Sequence, residues 1–158
     1  HERMTVRMEI GNHDDLTSQM LALALEAIYE REPRVTVDTS PSKFFYYRFG
    51  RVLVGTTHTD TVKPHKLGEI MAADRPAEWG ETEHRFWYTG HVHHDRVIEL
   101  PGCYVESSRT LAPADAWAHG QGYRSGQDMK LDVLHRLYGR VQRHVVGIQR
   151  VQELVAGV

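Results

Sequence analysis

"MTVRMEIGNHDDL", Met4 to Leu16, changes character in its middle. Met4 to Ile10 alternates loosely between apolar and polar side chains, the two-residue period of a half-buried strand. At Gly11 the alternation stops, and "GNHDD" supplies a tight polar loop with Asp14 or Asp15 placed to cap a helix. From Leu16 to about Glu32 the spacing becomes helical: Leu16, Met20, Leu23 and Ala27 form one row, and Leu21, Leu25 and Ile28 its neighbour. So broad an apolar face predicts a mostly buried helix, ended near Pro33. A strand that runs through a polar loop into a helix is the repeating unit of α/β proteins.

Beyond that helix the same alternation of elements continues. "RVTVDT" reads as a short strand, and "KFFYYRFGRVLVGTTH" as two strands joined near Gly50, the second ending in a polar loop at His58. Pro64 opens a helix through "HKLGEIMAAD", with Pro76 after it. "EHRFWYTGHVHHDRVIEL" gives a strand, a histidine-rich corner and a second strand, and Pro101 and Gly102 turn the chain into "CYVESSRT". "LAPADAWAHGQGYRSGQD" is loop-like, with one helical turn around Ala114 to Ala118. "MKLDVLHRLYGRVQRHVVGI" alternates as a terminal hairpin turning near Tyr138 and Gly139, and the tail after it is too short to assign. No repeat, low-complexity tract or Pro/Ser-rich linker divides the chain, so one domain is expected over residues 1–158.

Composition bounds the chemistry. At 158 residues and 41% hydrophobic, the chain can bury a core. Its net charge of -2 gives no broad electrostatic grip on a nucleic-acid backbone, so any phosphate chemistry must come from a local site. One cysteine, Cys103, rules out an intramolecular disulfide and a thiolate-rich zinc cluster, which fits a reducing cytoplasm. No apolar run is long enough to span a bilayer, and a soluble protein is expected. Eleven histidines beside that single thiol point to nitrogen and oxygen ligands wherever a metal is held.

Three polar loops each come after an apolar or aromatic strand: "GNHDD" at Gly11 to Asp15, "GTTHTD" at Gly55 to Asp60, and "GHVHH" at Gly90 to His94. Strand ends along one edge of a sheet come together in space, and α/β folds build sites there from distant sequence. In "GHVHH" an extended backbone would aim His91 and His93 to one side and His94 away. Each loop alone has a plainer reading: solvated histidines, a helix cap, or a hydrogen-bonded loop histidine. The aromatic runs "FFYY" and "RFWY" fit core and sheet surface better than base stacking, and Arg109 and Arg124 are of the kind that meets a phosphate.

In this order, the three loops resemble the later signature motifs of the calcineurin-like metallophosphoesterases: a GNH[DE] loop, a single-histidine loop and a GHxH loop. Within that family the chain is most similar to phage or prophage proteins related to DNA-repair exonucleases and metallophosphatases. The resemblance implies part of a sandwich of two sheets flanked by helices. It also implies hydrolysis of a phosphomonoester or phosphodiester, nucleic acid among the candidates, by two metal ions about 3.5–4 Å apart. Asn12, His58 and His91 would ligate one ion and His93 the other; His13 would stand near the leaving group as general acid or charge stabiliser, oriented by Asp14. Such donors suit Mn²⁺, Fe, Zn²⁺, Co²⁺ or Ni²⁺. Asp60 and Asp95 are carboxylates placed to orient ligating histidines.

Two departures from the pattern matter. The family carries D-x-H and G-D-x-x-D motifs ahead of GNH[DE], the second supplying the aspartate that bridges both ions, whereas the ten residues before Gly11 hold no aspartate. The resemblance therefore implies the C-terminal part of such a domain, its first strand-helix units absent, with an incomplete centre holding at most one ion weakly. A non-catalytic binding or assembly module that keeps the fold is the alternative. An exposed sheet edge would then favour a homo-oligomer. The second departure is Thr59, where the family often has glycine after the histidine.

Overall fold

The computed structural model describes residues 2–112, 120, 122 and 124–157. The first unit is strand, helix, strand: β1 (Met4–Arg7), α1 (Asp15–Tyr29) and β2 (Val35–Asp38), with β1 and β2 parallel and Arg7 opposite Asp38. Arg7 fastens this unit to the segment after β2. Its guanidinium donates to the carbonyls of Ser40, at 2.8 Å, and Ser42, and lies 3.4 Å from the Asp38 carboxylate.

The centre of the molecule is a five-stranded sheet in the order β3-β4-β5-β7-β6. β3 (Phe45–Phe49) and β4 (Val52–Thr57) form an antiparallel hairpin; β5 (His84–Thr89) and β7 (Cys103–Ser107) run parallel to β4; β6 (Arg96–Leu100) closes the far edge antiparallel to β7. A short 3-10 turn at Pro64–Lys66, α2 (Leu67–Asp74) and α3 (Pro76–Glu81) make the crossover from β4 to β5. Inward side chains of the strands meet α2 in a core of Leu53, Leu67, Met71, Trp87, Cys103 and Val105, and the Trp87 indole donates to the Leu67 carbonyl at 2.9 Å. That bond satisfies the one polar atom that burying a tryptophan brings with it.

Gly55 lies opposite Trp87 in the β4–β5 register, and a Cβ there would come within 2.7 Å of the indole ring. Gly55→Ala should therefore destabilise the fold by about 1–3 kcal/mol, the usual cost of forcing atoms into a packed core. Urea unfolding followed by Trp fluorescence measures it; an unchanged midpoint would show that the ring has room to move.

The other face of the sheet carries Phe86, Tyr88, Tyr104 and Glu106, with Phe86 stacked against both tyrosines. Over it lies an antiparallel hairpin of β8 (Asp128–His135) and β9 (Gly139–Gly147), attached through Glu106 to Lys130, Arg140 and Arg143. α4 (Ile148–Ala156) ends the described chain, and no helix among the described residues is long and apolar enough to cross a membrane.

The expected α/β architecture, a multi-stranded sheet flanked by helices, is present. Pro76 reads in the sequence as a helix stop, yet it opens α3, because proline suits the first turn of a helix, where its missing N–H is not needed. The helical turn expected around Ala114 to Ala118 lies outside the described residues. One expectation is corrected outright: α1 is not mostly buried. Only Ser18 and Ala22 are buried, while Leu16, Met20, Leu23 and Ile28 stand in solvent, because the two strands beside the helix can cover just one of its sides.

Candidate metal centre

The three polar loops do meet. β4 and β5 are parallel neighbours with Thr57 opposite Thr89, so the residues beyond their ends, His58 and His91, leave the sheet side by side. Their rings lie 5.1 Å apart between centroids, edge to face at 73°. The loop after β1 arrives from the other side, and Asn12 Oδ1 stands 3.2 Å from His58 Nε2. Metal–ligand bonds of about 2.0–2.1 Å put two tetrahedral donors roughly 3.4 Å apart, so this pair has the spacing of two ligands on one ion.

The glycines of both motifs have a shared physical purpose. A Cβ on Gly11 would lie 3.3 Å from His58 Cε1, and one on Gly90 would lie 3.1 Å from His58 Nδ1. The imidazole of His58 thus sits in a slot whose two walls are bare backbone.

Backbone strain is concentrated in the same place. Among the described non-glycine residues, only Thr59, His91 and His93 have positive φ, at 70°, 68° and 56°. A β-branched residue in this region is an outlier, and such strain gathers where surrounding structure imposes it. For Thr59 it explains why glycine would be at home there. The extended backbone expected for His91 and His93 is corrected by the same angles: the strand ends at Thr89, and a turn closed by Val92 N–H donating to the Gly90 carbonyl at 2.8 Å carries both histidines.

Burial and the nearby charge of His91 push the His58 pKa below its ordinary value of 6.5, with Asp60 and Asp14 opposing and His93 adding to the depression. The shift favours the neutral ring, the state in which an imidazole can ligate. His13 is exposed, and Asp14 Oδ1 accepts the Gly11 N–H at 3.0 Å, closing its own loop rather than holding the His13 ring. Asp60 bonds Lys43 at 2.6 Å; burial opposes its charge, but that bond and the lysine's charge hold its pKa below the usual value. Asp95 accepts from Lys130 at 2.6 Å, and the Ser107 hydroxyl donates to the His94 carbonyl at 2.8 Å, so the histidine loop is anchored at its far end to β7 and to the terminal hairpin. Sequence reasoning missed that anchor, since nothing in "HHDR" points to a lysine 35 residues away. Arg109 is engaged with Asp128 at 2.5 Å.

Asn12, His58 and His91 supply oxygen and nitrogen donors from three loops, yet among the described residues no group of three or more His, Cys, Asp or Glu stands close enough to hold a metal. Asp14 and Asp60 lie near enough to act on the charge of His58, while two ions held by neutral ligands alone would repel each other.

No family model matches the sequence, and no curated protein does. Two solved structures are similar in the course of the chain. One is Vps29 from Entamoeba histolytica complexed with Zn²⁺, at 14% identity and TM-score 0.44, covering 74% of this chain and 66% of that one. The other is a conserved protein of Streptococcus pneumoniae described as a predicted phosphoesterase, at 11% identity and TM-score 0.33, covering 90% and 95%. This chain thus spans less than two thirds of the length of the Vps29 it matches. Likeness at this level assigns no activity.

Proposed function

We propose that the chain carries the histidine half of a calcineurin-like metallophosphoesterase centre and hydrolyses a phosphomonoester or phosphodiester, nuclease-like substrates included, with a divalent ion. The observation that supports this reading is the seating of His58 between Gly11 and Gly90, beside Asn12, 46 residues away along the chain, and His91. Three motifs that are unrelated along the chain share one imidazole. In this reading Asn12, His58 and His91 hold one ion, and His93 is the ligand assigned to a second. His13, exposed on the rim, offers a proton to a leaving oxygen. The ion, Mn²⁺, Fe, Zn²⁺, Co²⁺ or Ni²⁺, supplies Lewis acidity at phosphorus when bound.

A second reading has its own support. Among the described residues no group of three or more His, Cys, Asp or Glu stands close enough to hold a metal, which favours a module that keeps the fold without turnover. Metal content by elemental analysis, together with hydrolysis of bis(p-nitrophenyl) phosphate in added Mn²⁺, separates the two. Turnover that disappears in His91→Ala supports the phosphoesterase; bound metal without turnover at any Mn²⁺ concentration supports the silent module.

A further inference from the structure

The donors of the candidate centre come from two sheets. Asn12 follows β1 of the two-stranded sheet, whereas His58 and His91 follow β4 and β5 of the five-stranded one. Among the described residues no backbone ladder joins the two sheets, so side chains must set Asn12 Oδ1 at 3.2 Å from His58 Nε2. Ligands of one ion have to be held within about 0.5 Å of their working geometry. Such precision across two sheets needs a support close to both donors.

Glu9 supplies it. The Thr56 hydroxyl donates to Glu9 Oε1, a bond that crosses from one sheet to the other. Glu9 lies three residues before Asn12, and Thr56 two before His58, so the bond joins the approaches to both donors. Arg7 braces the carboxylate from its other side. Its side chain is 7% exposed, its Nε stands 3.5 Å from Glu9 Oε1, and its guanidinium lies 5.8 Å from the centre of the Phe45 ring. Phe45 is the partner of Thr56 in the β3–β4 register, which closes a ring of contacts from Arg7 through Phe45 and Thr56 back to Glu9.

The carboxylate is kept there against a cost. Glu9 Oε2 is closed to solvent and has no hydrogen-bond partner, and burial pushes the Glu9 pKa above its ordinary 4.5 against the pull of Thr56 and Arg7. A buried acceptor without a donor calls for a reason beyond packing, and such exceptions gather at functional sites.

On the reading of this site as a metal centre, we infer that Glu9 is its positioning residue: through Thr56 it holds the Asn12 loop against the end of β4. The same bond keeps the bare backbone of Gly11 beside His58, where a Cβ would lie 3.3 Å from the ring. Glu9 touches neither the ion nor the substrate, and it acts only through where it puts Asn12.

Titration calorimetry of the whole chain with Ni²⁺ tests this, beside nuclear Overhauser contacts between the Asn12 side-chain amide and the His58 ring in the metal-free protein. Glu9→Ala should weaken Ni²⁺ binding by about 10–100-fold, the range for losing a partner of a ligand, and should abolish the Overhauser contact. Glu9→Gln, which keeps an oxygen for the Thr56 hydroxyl, should restore both. Thr56→Val removes the bond from the other side and should match Glu9→Ala, which decides the matter if the alanine variant fails to fold. In an Asn12→Ala background Glu9→Ala should bring no further loss, whereas a merely structural role would lower affinity again. Unchanged affinity and an unchanged Overhauser contact in Glu9→Ala and Thr56→Val overturn the inference. A wild-type chain that binds no Ni²⁺ removes the metal reading instead, and the Overhauser contact alone then decides whether Glu9 places Asn12.

Discussion

Replacing His58 by alanine should reduce divalent-metal affinity by more than about 100-fold, beyond the 10–100-fold typical of losing an outer-shell partner. Asn12 and His91 are each in contact with His58, so the ring stands between the other two donors. Removing it takes away one ligand and the surface that positions two more. Fold stability should change little, because His58 is only partly buried and its strand is held by the ladder below it. His94→Ala is the matched control: its side chain is exposed, and the bond that anchors its loop uses the backbone carbonyl. Titration calorimetry with Mn²⁺ or Ni²⁺ reads the difference. Binding should weaken as pH falls below 6.5, where an ordinary histidine gains its proton, and it should weaken late, because burial and His91 hold the His58 pKa below that value. Equal affinity in wild type and His58→Ala would place the ion elsewhere and remove the basis of the phosphoesterase reading.

Much of this site is legible in the sequence because it is written in short loops at strand ends. "GNHD" and "GHVH" name their donors and their glycines, and the parallel order of β4 and β5 is implied by a helix lying between two apolar strands. What the sequence withheld is geometry that depends on long-range contacts. The two-residue spacing of His91 and His93 suggests a strand, yet the strand ends at Thr89 and both residues take left-handed backbone angles. Periodicity sees spacing and not the point at which a ladder stops. α1 shows a different limit: an apolar stripe says that a face wants cover, but whether this chain supplies that cover is a question of how many strands surround the helix. Lys130, 35 residues beyond Asp95, illustrates a third, since an ion pair leaves no mark on local pattern.

Glu106→Ala should cost about 3–5 kcal/mol of stability, the range for breaking a buried ion pair from one side. Its carboxylate is 4% exposed and accepts from Lys130 at 2.7 Å, Arg140 at 2.9 Å and Arg143 at 2.5 and 2.8 Å. Asp132 alone would then face Arg140 and Arg143, with Lys130 left to Asp95. Three cations packed against the aromatic face of the sheet, with one partner gone, repel each other in a medium that screens them poorly. The hairpin of β8 and β9 should loosen first, which hydrogen exchange of its amides would show as lost protection while the core around Trp87 stays protected. The pH dependence has its origin in the same contacts. Burial works against the charge of both carboxylates, but the bonds from Arg143 and its neighbours win, holding Glu106 below its usual 4.5 and Asp132 at about 2 instead of 3.8. Folded values below unfolded ones mean stability that is present above the ordinary carboxylate range and is lost as pH falls through it toward 2. Wild type should therefore lose stability steeply between those limits, and Glu106→Ala, already without part of the network, should fall less. Because Lys130 also holds Asp95 at the end of the histidine loop, the variant should bind metal more weakly without losing any ligand. A variant whose melting and metal binding both match wild type would mean that Arg140 over the Phe86 ring and the Tyr88 hydroxyl donating to Asp132 at 2.6 Å hold the hairpin, and that Glu106 adds nothing to them.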